Sequence, residues 1–260
     1  MFATSCLDNV ETMRYCTARS VEGEVRVAVP ISYEYAYKFK SGHVKKFLVQ
    51  LDPDTLGLII KHQQNMPLWA LLNHKKCENC SLDVKTHTYC PIAQNFVDIA
   101  EQFQDVVSHE SVIVTVTTQE RVYARETTLQ QGLSPLIGII MTTSGCPVMD
   151  YLKPMVRFHL PFASLEETVF RMVSMFLLVQ FYRNQDGQKA EWRLDGLTRV
   201  YAEVGIVNRD FANRLRDAAR KDANINALVN LDCFASMVPL VAEDTLKAIK
   251  PYFSAYLKQD

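Results

Sequence analysis

Aromatic and polar residues alternate over nine positions near the start of the chain, from Ile31 to Phe39. Successive side chains of a β-strand point to opposite faces, so this alternation predicts a strand with an aromatic face. The residues on that face are Tyr33, Tyr35, Tyr37 and Phe39. A row of this kind resembles a base-stacking platform. We favour the interpretation that it covers a hydrophobic core, because large aromatic side chains are usually buried.

The order of the remaining patterns predicts an α+β fold. Residues 44–51 follow a Ser-Gly turn and read as the returning strand of a hairpin, and 111–117 with 122–127 read as a second hairpin. Helical spacing of apolar residues follows Pro91 and recurs after both hairpins. Strands that precede helices are typical of the α+β class, here N-terminal antiparallel hairpins and a cysteine loop followed by a mostly helical C-terminal half.

Several local signals refine this outline. Ser164 and Glu167 have the spacing of a capping box at the start of a helix, and Thr55–Ile60 could add a short strand. One later helix carries an apolar stripe formed by Leu197, Tyr201, Val204, Val207, Phe211, Leu215 and Ala218. Pro239 and Pro251 are expected to break the last helical region. We predict a small β-rich region over residues 1–65 and a cysteine-cluster and helical domain over 66–260, or one continuous domain.

Composition limits the classes of function. The 260 residues are 48% hydrophobic and 22% charged, which is ordinary for a soluble globular protein. A net charge of -1 argues against a general attraction to nucleic acid or to anionic lipid. Seven cysteines without a secretory signal predict reduced thiols in the cytoplasm, and no apolar run is long enough to span a membrane. No Walker A, dinucleotide-binding or nucleophile-elbow motif is present.

Four cysteines form the strongest candidate site. Cys77 and Cys80 make a Cys-x-x-Cys pair, while Cys90 and Cys146 are each followed by proline. Structural zinc takes four ligands at the corners of a tetrahedron, often four thiolates. We therefore predict a structural zinc site formed by these cysteines, with sulfurs within about 4 Å of one another. Cys90 is expected at a helix N-terminus, where the helix dipole favours a thiolate.

Other interpretations of the same residues stay open. A four-cysteine set also serves an iron–sulfur cluster, and an accessible Cys-x-x-Cys pair serves thiol redox chemistry. His74 or His87 could replace one cysteine ligand. Plain reduced thiols are the remaining alternative, because free cysteine is often a small buried hydrophobe. We expect that last role for Cys233, and no function for Cys6 and Cys16.

A second polar group surrounds a proline-containing loop. His159, Glu166, Glu167 and Arg171 lie close in sequence, and carboxylates near a histidine can serve acid–base catalysis or metal binding. We favour a structural role, because Glu167 already fits the capping box and is spaced to form an i,i+4 ion pair with Arg171.

A family resemblance follows from five short segments. These are Cys77-x-x-Cys80, Tyr89-Cys90-Pro91, Glu120-Arg121, Thr143-Ser144-Gly145-Cys146-Pro147 and His159-Leu160-Pro161-Phe162. Together they resemble an uncharacterised family of bacterial proteins of unknown function, over most of the chain. The resemblance implies a cytosolic bacterial origin and carries no catalytic residues to this chain.

The sequence as a whole predicts a soluble bacterial metal-binding protein that acts as a binding or interaction module through its zinc site. The alternative is a thiol redox or iron–sulfur enzyme or sensor that uses the same cysteines. We also expect a homodimer, because the helical half carries more apolar stripes than one central helix requires.

Overall fold

A single antiparallel sheet unites the two hairpins. The computed structural model describes residues 29–60, 65–218 and 221–258; Cys6 and Cys16 lie outside these ranges. The strands are β1 (Ile31–Phe39), β2 (Val44–Leu51), β3 (Ser111–Thr117) and β4 (Val122–Thr128). They lie in the order β2-β1-β3-β4 with every neighbouring pair antiparallel. Both predicted hairpins are confirmed, and β1 joins them by pairing with β3.

The aromatic row of β1 faces the core. All four of its side chains are buried, so the core-covering interpretation is correct. Each tyrosine hydroxyl on this face has a partner in the helical half. Tyr33 donates to the Val156 carbonyl at 2.8 Å and Tyr37 to the Gly132 carbonyl at 3.2 Å, while Tyr35 Oη lies 2.6 Å from His159 Nε2. The sheet is therefore tied to the helices by polar contacts inside an apolar layer.

Helices dominate the chain outside the sheet, and all except the first follow β4, in agreement with the α+β prediction. They are α1 (Pro91–Phe103), α2 (Leu129–Thr143), α3 (Lys153–Arg157), α4 (Leu165–Gln185), α5 (Asp195–Leu215), α6 (Ala223–Ile249) and α7 (Ser254–Leu257). The capping box is confirmed, since the Glu167 amide donates to Ser164 Oγ at 3.1 Å and the Ser164 amide donates to Glu167 Oε2 at 2.7 Å. This box fixes where α4 begins.

Two local predictions need correction. Residues 55–60 do not form a strand, because Leu58 makes only an isolated bridge to Leu51. Helix α6 does not end at Pro239 but continues to Ile249. The segments on either side, Ala223–Met237 and Leu240–Leu257, are inclined by 65°. A proline removes one backbone donor and bends a helix whose flanking turns are held by packing.

Within the described ranges, no single helix has the length and apolar character needed to cross a membrane. The bent pair Ala223–Met237 and Leu240–Leu257 meets that criterion only when its two halves are taken together. The cytoplasmic location stays a prediction.

An apolar groove lies between α4 and the C-terminal helices. It is lined by Phe170 and Leu177 from one side and by Phe253 and Tyr256 from the other, and several of these side chains are substantially exposed. The homodimer stays a prediction.

Helix α2 packs closely on the sheet at Gly132. A Cβ atom at this position would lie 2.6 Å from Val114 Cγ2 and 3.5 Å from Tyr37 Cε1. Farther along the same helix, a Cβ at Gly138 would meet Leu231 Cδ1 at an ordinary 3.6 Å. The first glycine is therefore required by close packing, whereas the second is not.

These two glycines make a matched test of the packing. We expect Gly132→Ala to lower the free energy of unfolding by about 1–3 kcal/mol, because Val114 is a stiff, buried side chain that cannot move aside freely. Gly138→Ala should leave it unchanged or raise it by up to about 1 kcal/mol through helix propensity. Urea denaturation of both variants measures the difference, and equal stabilities would contradict the proposed close contact.

Candidate functional site

A cavity of about 320 Å³ lies where five helices and the edge of the sheet converge. Its walls come from β4, α2, α3, α4, α5 and α6, together with the loop 158–163 that joins α3 to α4. Ligand pockets in proteins commonly measure about 300–1,000 Å³. The cavity therefore has the size of a site for a small organic molecule.

Most of the wall is apolar. The apolar side chains that form it include Ile139, Met149, Leu152, Met155, Met172, Val204 and Leu231. Gly138 of α2 also lines the cavity, and because it has no side chain it leaves space opposite the Leu231 side chain. Methionine is unbranched and polarisable, so three methionines give the wall an adaptable surface.

Arg171 is the charged group that lies deepest in this wall. Its Nη2 donates to the carbonyl oxygens of Met155 at 2.8 Å and Phe158 at 2.7 Å. Among the described residues no carboxylate lies within ion-pairing distance of it, so the predicted ion pair with Glu167 is wrong. Burial lowers the pKa of Arg171, but a guanidinium keeps its charge at neutral pH. The cavity thus contains a cation with unused donors.

The other charged residue of the wall is also basic. Arg125 of β4 is exposed, so the cavity reaches the surface at this edge of the sheet. None of the described residues that line the cavity is acidic. The formal charges carried by the described lining side chains are therefore positive, and Arg171 is the less exposed of the two arginines.

His159 forms part of the wall as a neutral group. Enclosure by protein, and secondarily the charge of Arg171, lowers the pKa of His159 to about 3. Its Nε2 shares the 2.6 Å hydrogen bond with Tyr35, and its ring meets the edge of the Tyr33 ring at a centroid distance of 5.5 Å. Burial also raises the pKa of Tyr35 well above its ordinary value. The pair is therefore uncharged at neutral pH, and it fixes the loop that carries Phe162.

Phe162 lies in the left-handed region of backbone conformation, with φ of 63°. A bulky residue rarely adopts this conformation, and it costs on the order of 1–3 kcal/mol where it occurs. The Phe162 side chain lines the cavity and packs against the core. The local strain thus places an aromatic ring in the wall, as strained residues often do at binding sites.

Helix α5 presents two polar groups to the cavity from an otherwise apolar face. Tyr201 and Asn208 both line it, with Val204 between them. Burial raises the pKa of Tyr201 above the normal range, while Arg171 nearby acts in the opposite direction. Asn208 is buried and donates through Nδ2 to Asp232 Oδ1 at 3.0 Å, yet its Oδ1 has no partner among the described residues. A buried hydrogen-bond acceptor without a partner destabilises the fold unless a ligand or a water molecule donates to it.

Sequence reasoning identified only part of this site. It singled out His159 and Arg171, but not the cavity that they share. Tyr201 was assigned to the apolar stripe of α5, and Asn208 was not considered. A polar residue next to Val207 on a mostly buried helix face is the signal that could have identified Asn208.

The predicted zinc site is wrong. Among the described residues, no group of three or more His, Cys, Asp or Glu side chains is arranged to hold a metal ion. Cys77, Cys80, Cys90 and Cys146 pack on the same core cluster and carry free thiols. They are close enough to influence one another's ionisation, but they do not form the compact four-ligand group that zinc requires.

The surroundings of three of the thiols also disfavour the thiolate form. Burial, and secondarily the nearby Cys90 thiol and Asp210, raises the pKa of Cys77 to about 12. Burial also raises the pKa of Cys90 and Cys146. Cys90 does cap α1, but amide donors at that helix start do not outweigh its burial. A thiol that stays protonated is a poor nucleophile, so Cys77, Cys90 and Cys146 are not activated for redox chemistry.

The remaining candidate ligands have other roles. His74 Nε2 lies 2.7 Å from Asp217 Oδ2, and His87 Nδ1 lies 2.9 Å from the Thr86 hydroxyl. Cys233 is exposed, so its prediction as a buried thiol is wrong. The two histidines therefore take part in polar contacts at the protein surface.

Comparison with known proteins places the chain in a family. The family model described as "Domain of unknown function (DUF6901)" matches residues 33–254, so the chain belongs to this family. No curated protein and no solved structure matches the chain. The resemblance to an uncharacterised family is confirmed, while the bacterial origin stays a prediction.

The neutral state of His159 predicts how stability depends on pH. In the unfolded chain this group titrates near pH 6.5, whereas in the folded protein its pKa is about 3. Below pH 6.5 the unfolded state therefore binds a proton that the folded state does not, and stability falls as the pH falls. For the parent protein this contributes a loss of about 1–2 kcal/mol between pH 7 and pH 5.

Two glutamine variants test whether His159 causes this dependence of stability on pH. His159→Gln should reduce the loss of stability between pH 7 and pH 5, while keeping a hydrogen-bonding group near Tyr35. His87→Gln, at an exposed position, should keep the parent's slope. Urea unfolding at several pH values measures all three proteins. An unchanged slope in His159→Gln would show that this histidine is not held neutral in the fold.

Proposed function

We propose that this member of the family binds a small organic acid in the cavity, with the anionic group at Arg171 and the apolar body against the methionine-rich wall. The observation that carries the proposal is a half-buried guanidinium with free donors in a cavity whose described lining residues include no acid. Partial burial of this charge carries a desolvation cost, which the Glu167 carboxylate offsets only from beyond ion-pairing distance. An anionic ligand at the guanidinium lowers that cost further.

The hydrogen bonds of Arg171 support this assignment. Only Nη2 is used by backbone carbonyls, so within the described residues Nη1 and Nε make no hydrogen bond. Each parallel N–H pair of a guanidinium includes Nη2, whose two hydrogens are already used, so Nη1 and Nε offer a carboxylate single charge-assisted hydrogen bonds. The two bonds to Met155 and Phe158 also fix the orientation of the side chain. Arg171 is therefore a preorganised hydrogen-bond donor for a carboxylate.

The apolar wall supports the second half of the proposal. Drug-sized and metabolite-sized ligands are usually held by mostly apolar pockets in which a few polar groups set the orientation. Here Arg171 and the α5 polar groups interrupt a wall of aliphatic side chains and methionines. Burying the ligand's hydrocarbon supplies affinity, at about 0.8 kcal/mol for each methylene removed from water.

Isothermal titration calorimetry with octanoate and octanamide tests the proposal directly. The two molecules have the same hydrocarbon chain and differ in charge. We expect octanoate to bind about tenfold more tightly, because hydrogen bonds between charged partners are roughly twice as strong as neutral ones. Equal affinities, or no heat of binding for either molecule, would contradict an anion site at Arg171.

Three variants separate the role of Arg171 from a general effect of charge. Arg171→Met should remove the preference for octanoate, and Arg171→Lys should keep part of it. Arg157→Met is the matched control, because Arg157 is exposed and does not line the cavity. Thermal melts establish that each variant is folded. Loss of the preference in Arg157→Met, or its survival in folded Arg171→Met, would refute the proposed position of the anion.

A further inference from the structure

We infer that the acid carries a hydroxyl group at the end opposite its carboxylate, and that Asn208 Oδ1 accepts a hydrogen bond from this hydroxyl. The inference deepens the proposed function and rests on it. It narrows the ligand class from small organic acids to elongated acids with a terminal hydroxyl.

The orientation of the Asn208 amide is fixed by its neighbour. A carboxylate only accepts hydrogen bonds, so the amide nitrogen must face Asp232 Oδ1, 3.0 Å away. The amide oxygen must then point the other way. It is a buried atom without a partner in the described part of the chain, on a side chain that lines the cavity and is only 1% exposed. The site therefore offers one fixed acceptor and calls for a donor.

Helix geometry sets the distance between the two polar ends of the ligand. Tyr201 and Asn208 lie seven positions apart on the cavity face of α5, which corresponds to about 10 Å along the helix axis. Arg171 lies at the Tyr201 end, since its charge and the Tyr201 hydroxyl influence each other's ionisation. Val204 occupies the interval between them. A ligand that serves both ends must be extended and apolar in its middle.

The chemistry at the Asn208 end favours a hydroxyl over an ammonium group. The polar side chains that line the cavity here, Asn208, Asn230 and Ser134, are all uncharged. Ser134 and Asn230 are joined by a 3.2 Å hydrogen bond, and the Ser134 hydroxyl donates to the Ala227 carbonyl at 2.6 Å. The nearby Asp232 carboxylate already accepts a hydrogen bond from the Asn208 amide, so a hydroxyl meets the need of the Asn208 oxygen without adding a buried charge.

Two isomeric acids test the inference on the unmodified full-length protein. Both 8-hydroxyoctanoate and 2-hydroxyoctanoate have the same composition and charge, but only the first places its hydroxyl far from the carboxylate. Calorimetry should show the 8-hydroxy isomer binding about tenfold more tightly, the ratio expected for one additional hydrogen bond. Equal affinities, or tighter binding of the 2-hydroxy isomer, would overturn the inference and indicate that water serves Asn208.

Asn208→Leu provides the second test. This variant should lose the preference for the 8-hydroxy isomer while still binding octanoate through Arg171. Asn213→Leu changes the same residue type on the same helix outside the cavity, and it should keep the parent's preference. A preference that survives in Asn208→Leu would also overturn the inference.

The two proposals fail in different ways. If octanoate does not bind, or binds no better than octanamide, the proposed function itself is wrong. If octanoate binds in an Arg171-dependent manner while the two hydroxy isomers are equivalent, only the role of Asn208 is wrong.

Discussion

The hydrogen bond between Tyr35 and His159 connects the centre of the sheet to the wall of the cavity. Tyrosine rings on a dry face of a sheet bring hydroxyl groups into the core, and each hydroxyl needs a partner there. In β1 the three partners are a carbonyl of α2, a carbonyl of α3 and the imidazole of the loop that follows α3. The tyrosines of the core therefore also position α2, α3 and the following loop, which line the cavity.

Two arginines of the helical half, Arg214 and Arg171, show how the same group can stabilise the fold or remain free for a ligand. Arg214 is only 1% exposed, and its two terminal nitrogens donate to four carbonyl oxygens of residues 69–75 at 2.6–3.4 Å. Its charge is thus used to hold the segment that precedes the cysteine loop against α5. Arg171 has two such bonds, both from one nitrogen, and its other donors remain for the cavity. This contrast is the physical basis for assigning a ligand to Arg171.

The sequence predicted the elements well because their signals are local. The alternation in β1, the capping box of α4 and the proline at the start of α1 each depend on residues within a few positions, and all three were confirmed. The cavity depends on how distant elements pack, so no local pattern marks it. Asn208 illustrates the difficulty, since its role arises from Asp232 on another helix and from the absence of a second partner.

The predicted four-cysteine zinc site was wrong for a related reason. Spacing in the sequence describes which thiols could approach one another, but burial decides whether they ionise and packing decides whether they converge. Here burial raises the pKa of Cys77, Cys90 and Cys146, and no described group of ligand side chains is arranged around one point. The family model assigns no function, so the cavity is the feature from which function has to be argued.

A crystal structure of the full-length protein with 8-bromooctanoate would test the central claim most directly, because anomalous scattering locates the bromine independently of the carboxylate. We expect the carboxylate to contact the guanidinium of Arg171 and the bromine to lie at the Asn208 end of the cavity. Bromine in the groove between α4 and the C-terminal helices, or a carboxylate directed away from Arg171, would contradict the account.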